Sequence, residues 1–308
     1  MGSEGIGSAE STEGAFTEHR GLLFTIAYEM LGSATDAEDV LQESYLRWSA
    51  VDPATVRHPR AYLVRTVTRQ ALNHLRAARA RREDYVGAWL PEPIRTAPEA
   101  GDDVLLAESV SMAMLLVLET LNPTERAVFV LHDVFGYTHG EIAASVGKSE
   151  ATVRQTAHRA RRHVHARRRR FEPDSGAARE IVRRFLDAAA TGDVRALMDL
   201  LAPDVVQISD GGGKVVAARR PVVGRDEVAR FILRVARRNL AETRIEPATY
   251  NGMPAARFLT DGALDWLLTV EIHDGRITGL YGIRNPDKLR RANTVRPLDR
   301  KGPQPWKP

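Results

Sequence analysis

Arginine and the acidic residues are segregated along the first half of this chain, and no other feature restricts its fold as much. Residues 54–82 hold eight Arg and no Asp or Glu, and residues 151–171 hold another eight Arg, again with no acid. The stretches before them run the other way: 1–53 carries ten acids against two Arg, and 83–150 twelve acids against three basic residues. Inside the first basic block, Leu63, Val64, Val67, Ala71, Leu72 and Leu75 recur at helical spacing, which predicts a helix over His58–Arg82. Arg65, Arg69, Arg76 and Arg79 fall on its opposite side. An apolar back and a cationic front suit a polyanion, because each Arg near a phosphate releases condensed counterions. The formal charge of +4 conceals this pattern.

The 308 residues are enough for two or three domains, and 43% hydrophobic residues are enough to give them cores. The absence of Cys excludes a disulfide framework, a thiolate zinc site and a Cys nucleophile. The longest apolar stretches, such as Met112–Leu118, fall far short of the roughly 20 residues of a membrane span, and Met1–Thr17 has no signal-peptide pattern. A cytoplasmic protein without membrane association is expected. Residues 1–15 read as a disordered tail and 16–82 as a helical domain. Here Ser33–Trp48 forms a helix with acids in its first turns, where the helix dipole favours them. Residues 83–103, rich in Pro, Gly and Asp, read as a linker that oddly contains Trp89 and Leu90. A second helical domain spans 104–171. Residues 176–290 alternate helical and strand patterns, with strands expected at Val205–Ser209, Val215–Ala218, Arg257–Leu259, Leu264–His273 and Arg276–Gly282. A basic, Pro-rich tail, 291–308, is expected to be disordered.

The sharpest local pattern is Tyr137–His165. Thr138 and Glu141 form a capping box, Gly147 supplies a tight turn and Ser149 caps a second helix. That second helix carries Arg154, Gln155, His158, Arg159, Arg161 and Arg162 opposite an apolar face, the arrangement of a helix-turn-helix. Arg reads guanine and Gln reads adenine in the major groove, whereas Arg161 and the run 167–170 suit phosphates.

With these residues in view, the chain resembles the extracytoplasmic-function (ECF) group of RNA polymerase sigma factors. Asp36–Trp48 is similar to the core-polymerase-binding helix. His58-Pro59-Arg60-Ala61-Tyr62-Leu63 with its basic continuation is similar to the −10-element helix, and Leu121–Arg126 opens a module similar to the −35-binding domain. Trp89-Leu90-Pro91-Glu92-Pro93, Asp210-Gly211-Gly212-Gly213-Lys214 and Asn285-Pro286-Asp287-Lys288-Leu289 resemble motifs of a subgroup that fuses a SnoaL-like (NTF2-like) domain behind the sigma domains. The resemblance implies two all-α sigma domains, the second with the helix-turn-helix, followed by an α+β cone. It implies as partners the RNA polymerase core, through its beta and beta-prime subunits, and promoter DNA. Asp36, Asp39, Gln42 and Glu43 would meet the polymerase. Arg57, Arg60, Tyr62, Arg65, Arg69, Asn73 and Arg76 would contact DNA near the −10 element, with loop Ser49–His58 holding an unstacked base. Arg154, Gln155, His158, Arg159 and Arg162 would contact the −35 element. Tyr62 departs from the tryptophan many relatives carry. An interdomain regulatory set, Trp89, Leu90, Pro91, Asp210, Gly211, Gly212, Gly213, Lys214, Asn285, Pro286 and Asp287, would let the third domain act in cis.

Asp210, Asp265, Glu271 and His273 are the acid/base candidates in the third domain. Strand alternation puts Asp265, Leu267, Thr269, Glu271 and His273 on one face and Trp266, Leu268, Val270 and Ile272 on the other. The apolar face reads as core and the polar face as solvent or a domain contact. No metal-like His and acid spacing occurs, and no cofactor or catalysis is expected. The SnoaL-like resemblance implies an apolar pocket and is compatible with a small-molecule ligand there, which a buried pocket without convergent polar groups would argue against. The alternative function is a DNA-binding regulator with a ligand-sensing or enzymatic third domain. A monomer is expected.

Overall fold

The structure, a computed structural model, describes residues 4–83, 85–96, 104–167, 175–239 and 243–300. In chain order the helices are α1 (Glu4–Leu31), α2 (Ala34–Ser49), α3 (Pro59–Glu83), α4 (Val104–Ser109), α5 (Met112–Glu119), α6 (Pro123–Phe129), α7 (His139–Val146) and α8 (Glu150–His165). After them come α9 (Gly176–Thr191), α10 (Val194–Leu200), β1 (Leu201–Asp210), β2 (Val222–Val223) and α11 (Arg225–Asn239). The last elements are β3 (Arg244–Tyr250), β4 (Met253–Thr260), β5 (Ala263–His273), β6 (Arg276–Ile283) and α12 (Pro286–Leu289). These residues fall into two compact units, one drawn from the stretches 1–81, 117–167 and 297–308, the other from 82–116 and 168–296.

In the first unit, α1 stops at Gly32, whose φ of 66° suits a residue without Cβ. Ser33 then caps α2 by accepting from the Asp36 N–H at 3.0 Å. Leu23, Ile26, Met30, Val40, Leu41, Trp48, Leu63 and Val67 are buried where α1, α2 and α3 meet. Capping boxes at Asn122/Glu125 and Thr138/Glu141 start α6 and α7. A π-helical turn, Val130–Val134, continues α6. Arg126 joins the two helical modules of this unit: fully buried, it pairs with Glu119 and donates to the Glu29 carbonyl of α1 at 3.0 Å. Burial pushes its guanidinium down to about 9, against the upward pull of Glu29 and Tyr28.

The second unit holds a six-stranded sheet in the order β2-β1-β6-β5-β4-β3, antiparallel except for the β1–β6 pair. Helices α9, α10 and α11 cover one face through Val182, Phe185, Leu197 and Val228 against Phe258, Leu268, Val270 and Ile272. The opposite face is covered too. Leu90, Met112, Leu289 and Ala292 pack there on Tyr250, Met253, Leu267, Tyr281 and Ile283.

Several expectations need correction. The helix begins at Glu4 inside the stretch expected to be a tail, since a helix nucleated by the buried Phe16–Leu31 part propagates at one hydrogen bond per residue. The stretch 291–300, also expected to be disordered, has partners: the Tyr250 hydroxyl donates to the Ala292 carbonyl at 2.7 Å and the Arg296 N–H to the Arg95 carbonyl at 2.9 Å. Linker residues Ile94–Thr96 are buried or half-buried and hydrogen-bonded to Thr249–Gly252. Val215–Ala218 is loop, because the turn at Gly211–Lys214 leads it away from the sheet. β3 escaped the sequence reading because Pro247 interrupts its pattern, which an edge strand tolerates. Glu271, on the face expected to meet solvent or another domain, is only 3% exposed, and Leu90, Met112, Leu289 and Ala292 pack on that face.

Candidate polymerase, DNA and regulatory sites

Helix α2 turns its apolar residues inward and leaves Asp39, Gln42 and Glu43 exposed, with Asp36 half-buried. Leu46 continues this row one turn on and is 61% exposed, an apolar residue that sequence reasoning passed over. Glu43 accepts from Gln70 at 2.7 Å and lies 3.2 Å from His74, while Glu38 is tied to Arg20 at 2.6 Å. The outward face of α2 is therefore acidic with one apolar contact point.

Helix α3 exposes Arg65, Arg69, Asn73 and Arg76 along one side, and Arg57 is exposed just before it. The side chain of Arg79 lies outside the described residues. Tyr62 is half-buried against Trp48, their ring centroids 5.4 Å apart. Beside them a cavity of about 340 Å³ is lined by Arg47, Tyr62, Arg65, Thr66, Arg69 and Gln70 of α2 and α3. Two of the expected DNA contacts are engaged within the protein. Arg69 donates to the carbonyls of Ser145 at 3.2 Å and Ala144 at 3.1 Å, at the end of α7 where the helix dipole is negative. Arg60 is half-buried near Tyr137, whose phenol is pushed up to about 12 by burial, with the Arg60 charge opposing the shift.

Helix α8 buries Val153, Thr156, Ala157, Ala160 and Val164 and exposes Arg154, Gln155, His158, Arg159 and Arg162 on one face. Arg154 pairs with Glu150 at 3.1 Å, both exposed, and the exposed Arg159 with the half-buried Glu125 at 3.5 Å. Arg161, suited to phosphates from sequence, is paired with Asp133. Of the basic run after it, Arg167 is exposed and 168–170 lie outside the described residues.

In the second unit the regulatory set converges on Asp210, which is 1% exposed. Its carboxylate accepts from the Tyr85 hydroxyl at 2.5 Å, the Leu90 N–H at 2.9 Å, the Gly212 N–H at 3.0 Å and the Lys288 ammonium at 2.7 Å. Lys288 also donates to the Leu90 carbonyl and lies 4.3 Å from the Trp89 ring centroid. Asn285 donates to the Tyr85 hydroxyl at 2.8 Å, and Lys214 pairs with Asp287 at 2.5 Å. Gly212 and Gly213 have φ of 62° and 70°, and a Cβ on either would press on Asn285 or on Val86. The linker around 85–90 is thus clasped by the turn after β1 and by α12. Pro91 is buried beside Leu90, and Pro286 opens α12. Sequence reasoning missed Tyr85 and Lys288 as members. The Lys288 position inside an otherwise short polar motif carried no sign that it would be buried.

The acid/base candidates do not assemble. Glu271 accepts from the Tyr281 hydroxyl at 2.5 Å, His273 pairs with Asp274 at 3.1 Å, and Asp265 with Arg284 at 3.2 Å. Among the described residues no cluster of His and acids fits a metal, and no helix is long and apolar enough to cross a membrane. A cavity of about 710 Å³ opens between β1, β5, β6 and α11, with polar groups of Gln207, Ser209 and Arg284 converging on an apolar wall.

Comparison with known proteins agrees with this layout. Residues 15–81 match the family Sigma-70 region 2, residues 111–164 match Sigma-70, region 4, and residues 182–279 match the SnoaL-like domain. The chain is 39% identical over 300 residues to the ECF RNA polymerase sigma factor SigJ of Mycobacterium tuberculosis, covering 92% of this chain and 93% of that protein. It is 32% identical over 278 residues to the probable ECF RNA polymerase sigma factor SigI of the same species, covering 89% and 93%. The crystal structure of M. tuberculosis SigJ superposes with a TM-score of 0.74 at 36% identity, over 90% of this chain and 98% of that one. A chain with an acidic helix, two arginine-faced helices and a SnoaL-like domain in this order belongs to the ECF RNA polymerase sigma factors, non-enzymatic initiation factors that bind core polymerase and promoter DNA.

Proposed function

We propose that this sigma factor meets core polymerase, at its beta and beta-prime subunits, through Asp36, Asp39, Gln42, Glu43 and Leu46. Arg57, Tyr62, Arg65, Asn73 and Arg76 then engage the −10 element, and α8 reads the −35 element with Arg154, Gln155, His158 and Arg159 while Arg162 holds a phosphate. The basic cavity beside Tyr62 has the size and charge for a base taken out of the stack, a step that costs a few kcal/mol. Arg60 joins the DNA contacts, and so does Arg69 once its bonds to the end of α7 are exchanged for phosphates. The protein acts in the cytoplasm, where polymerase and promoters are, as one copy per polymerase. The SnoaL-like domain regulates it in cis by holding the linker between the two sigma modules, and its cavity takes a small molecule. The observation that carries the regulatory reading is the buried Asp210 carboxylate, which accepts from the linker at both Tyr85 and Leu90.

In vitro transcription with purified core polymerase on a library of upstream regions tests both parts. The full chain is expected to give transcripts from defined starts, and the variant Asp39→Lys/Glu43→Lys to give none while still binding DNA. Gly212→Ala, which forces the clasp open, is expected to change output at the same promoters at least threefold. Output unchanged in that variant, with the linker shown to be released, would remove the regulatory reading.

A further inference from the structure

The cavity of the SnoaL-like domain has a chemistry of its own. Its apolar wall comes from Phe231, Ile232 and Val235 of α11 and from Trp266 and Leu268 of β5. Four cations line it, Lys214, Arg234, Arg238 and Arg284, and no carboxylate does. Lys214 is neutralised by Asp287, and Arg284 is held by Asp265 at 3.2 Å. Arg234 and Arg238 are exposed at the rim and, among the described residues, have no ion-pair partner. The lining therefore carries about two uncompensated positive charges, which favours an anion in a site partly screened from water.

Two polar groups inside the cavity are unfinished. Gln207 is 3% exposed, and its Nε2 donates to Ser209 at 2.5 Å while its Oε1 has no partner. Arg284 uses Nη1 on the Val216 carbonyl at 3.3 Å and Nη2 on Asp265, leaving its buried Nε without a partner. A buried acceptor or donor left unmade costs about 1–3 kcal/mol. The volume, about 710 Å³, lies within the range of small-molecule sites, roughly 300–1,000 Å³.

We infer that this cavity binds a small amphipathic anion, with an apolar body against Trp266 and Phe231, an anionic head at the arginines and a hydroxyl or amide donor for Gln207. This rests on the reading that the domain takes a ligand, and it specifies the class. Val215–Ala218, which form part of the wall, directly follow the Gly211–Lys214 turn of the linker clasp, so an occupant touches the segment that continues that turn.

Anilinonaphthalene sulfonate is a suitable probe, with an aromatic body, an anionic head and an N–H donor. Titrated into the full chain, it is expected to saturate at one molecule per chain and to be displaced by decanoate and not by decanol. Arg238→Glu, an exposed substitution that leaves the core untouched, is expected to weaken probe binding at least fivefold. Ala218→Trp, which narrows the cavity, is expected to abolish it. No saturable binding to the full chain would overturn the reading that the cavity takes a ligand. Saturable binding that decanol displaces equally, or that Arg238→Glu leaves unchanged, would overturn the anionic class.

Discussion

Asp210 and Lys288 show how much can rest on one buried pair. Their side chains are almost fully excluded from water, and the ammonium is further held by the Leu90 carbonyl and the Trp89 ring. Removing one partner of such a pair strands the other charge, at a cost of about 3–5 kcal/mol. Lys288→Met is accordingly expected to destabilise the second unit by that amount in urea unfolding, and Asp210→Asn/Lys288→Met to recover part of the loss. Tyr85 adds a pH dependence. Its phenol is raised above the ordinary 10.0, first by burial and then by the hydrogen bond and charge of Asp210. A group whose folded value is raised contributes stability that is complete below the unfolded value and is lost as pH rises beyond it. Hydrogen exchange at the Leu90 amide should therefore accelerate above about pH 10 more steeply in the native protein than in Tyr85→Phe.

At the scale of elements, the role proposed for α8 divides into reading and holding. Gln155→Ala is expected to cost about 1–3 kcal/mol at the preferred −35 sequence and to relax selectivity at one base. Arg162→Ala should instead weaken binding evenly across sequences and lower the salt slope by about one. Competition binding at several salt concentrations distinguishes the two. The helices proposed to make these contacts were legible in the sequence because cap, apolar spacing and charge agree in each: Ser33 before α2, Thr138–Glu141 before α7, Ser149 before α8. The strands were less so. β5 has an apolar face and a polar one, yet both are buried, since Leu90 and Met112 arrive from far away in the chain to cover Leu267. Long-range cover of this kind leaves no local trace. For the same reason the engagement of Arg69 by the end of α7 could not be read, whereas the convergence of the Trp89, Asp210 and Asn285 motifs was expected from the family resemblance.

For the whole molecule, the division into units does not follow the order of domains. The linker and the segment up to Leu116 belong with the third domain, and the stretch after Arg296 belongs with the sigma modules. In that stretch the Asp299 N–H donates to Thr25 of α1 at 3.1 Å and Arg300 donates to the Val134 carbonyl. Removing 297–308 while keeping the SnoaL-like domain is expected to cost the first unit about 1–3 kcal/mol, read as a lower melting temperature of the transition that reports α1.

The cover that the linker gives to the sheet also has a history in time. Leu90, Ile94 and Met112 leave the ribosome long before Tyr281 and Leu289, against which Leu90 and Met112 are buried. At roughly 5–20 residues per second, the nascent chain carries those side chains without their partners for about 10–40 s. In the later part of that interval, after residue 171 has been made, both sigma modules exist and their connector has not yet been captured, so a newborn chain passes through an untethered state before it reaches the clasped one.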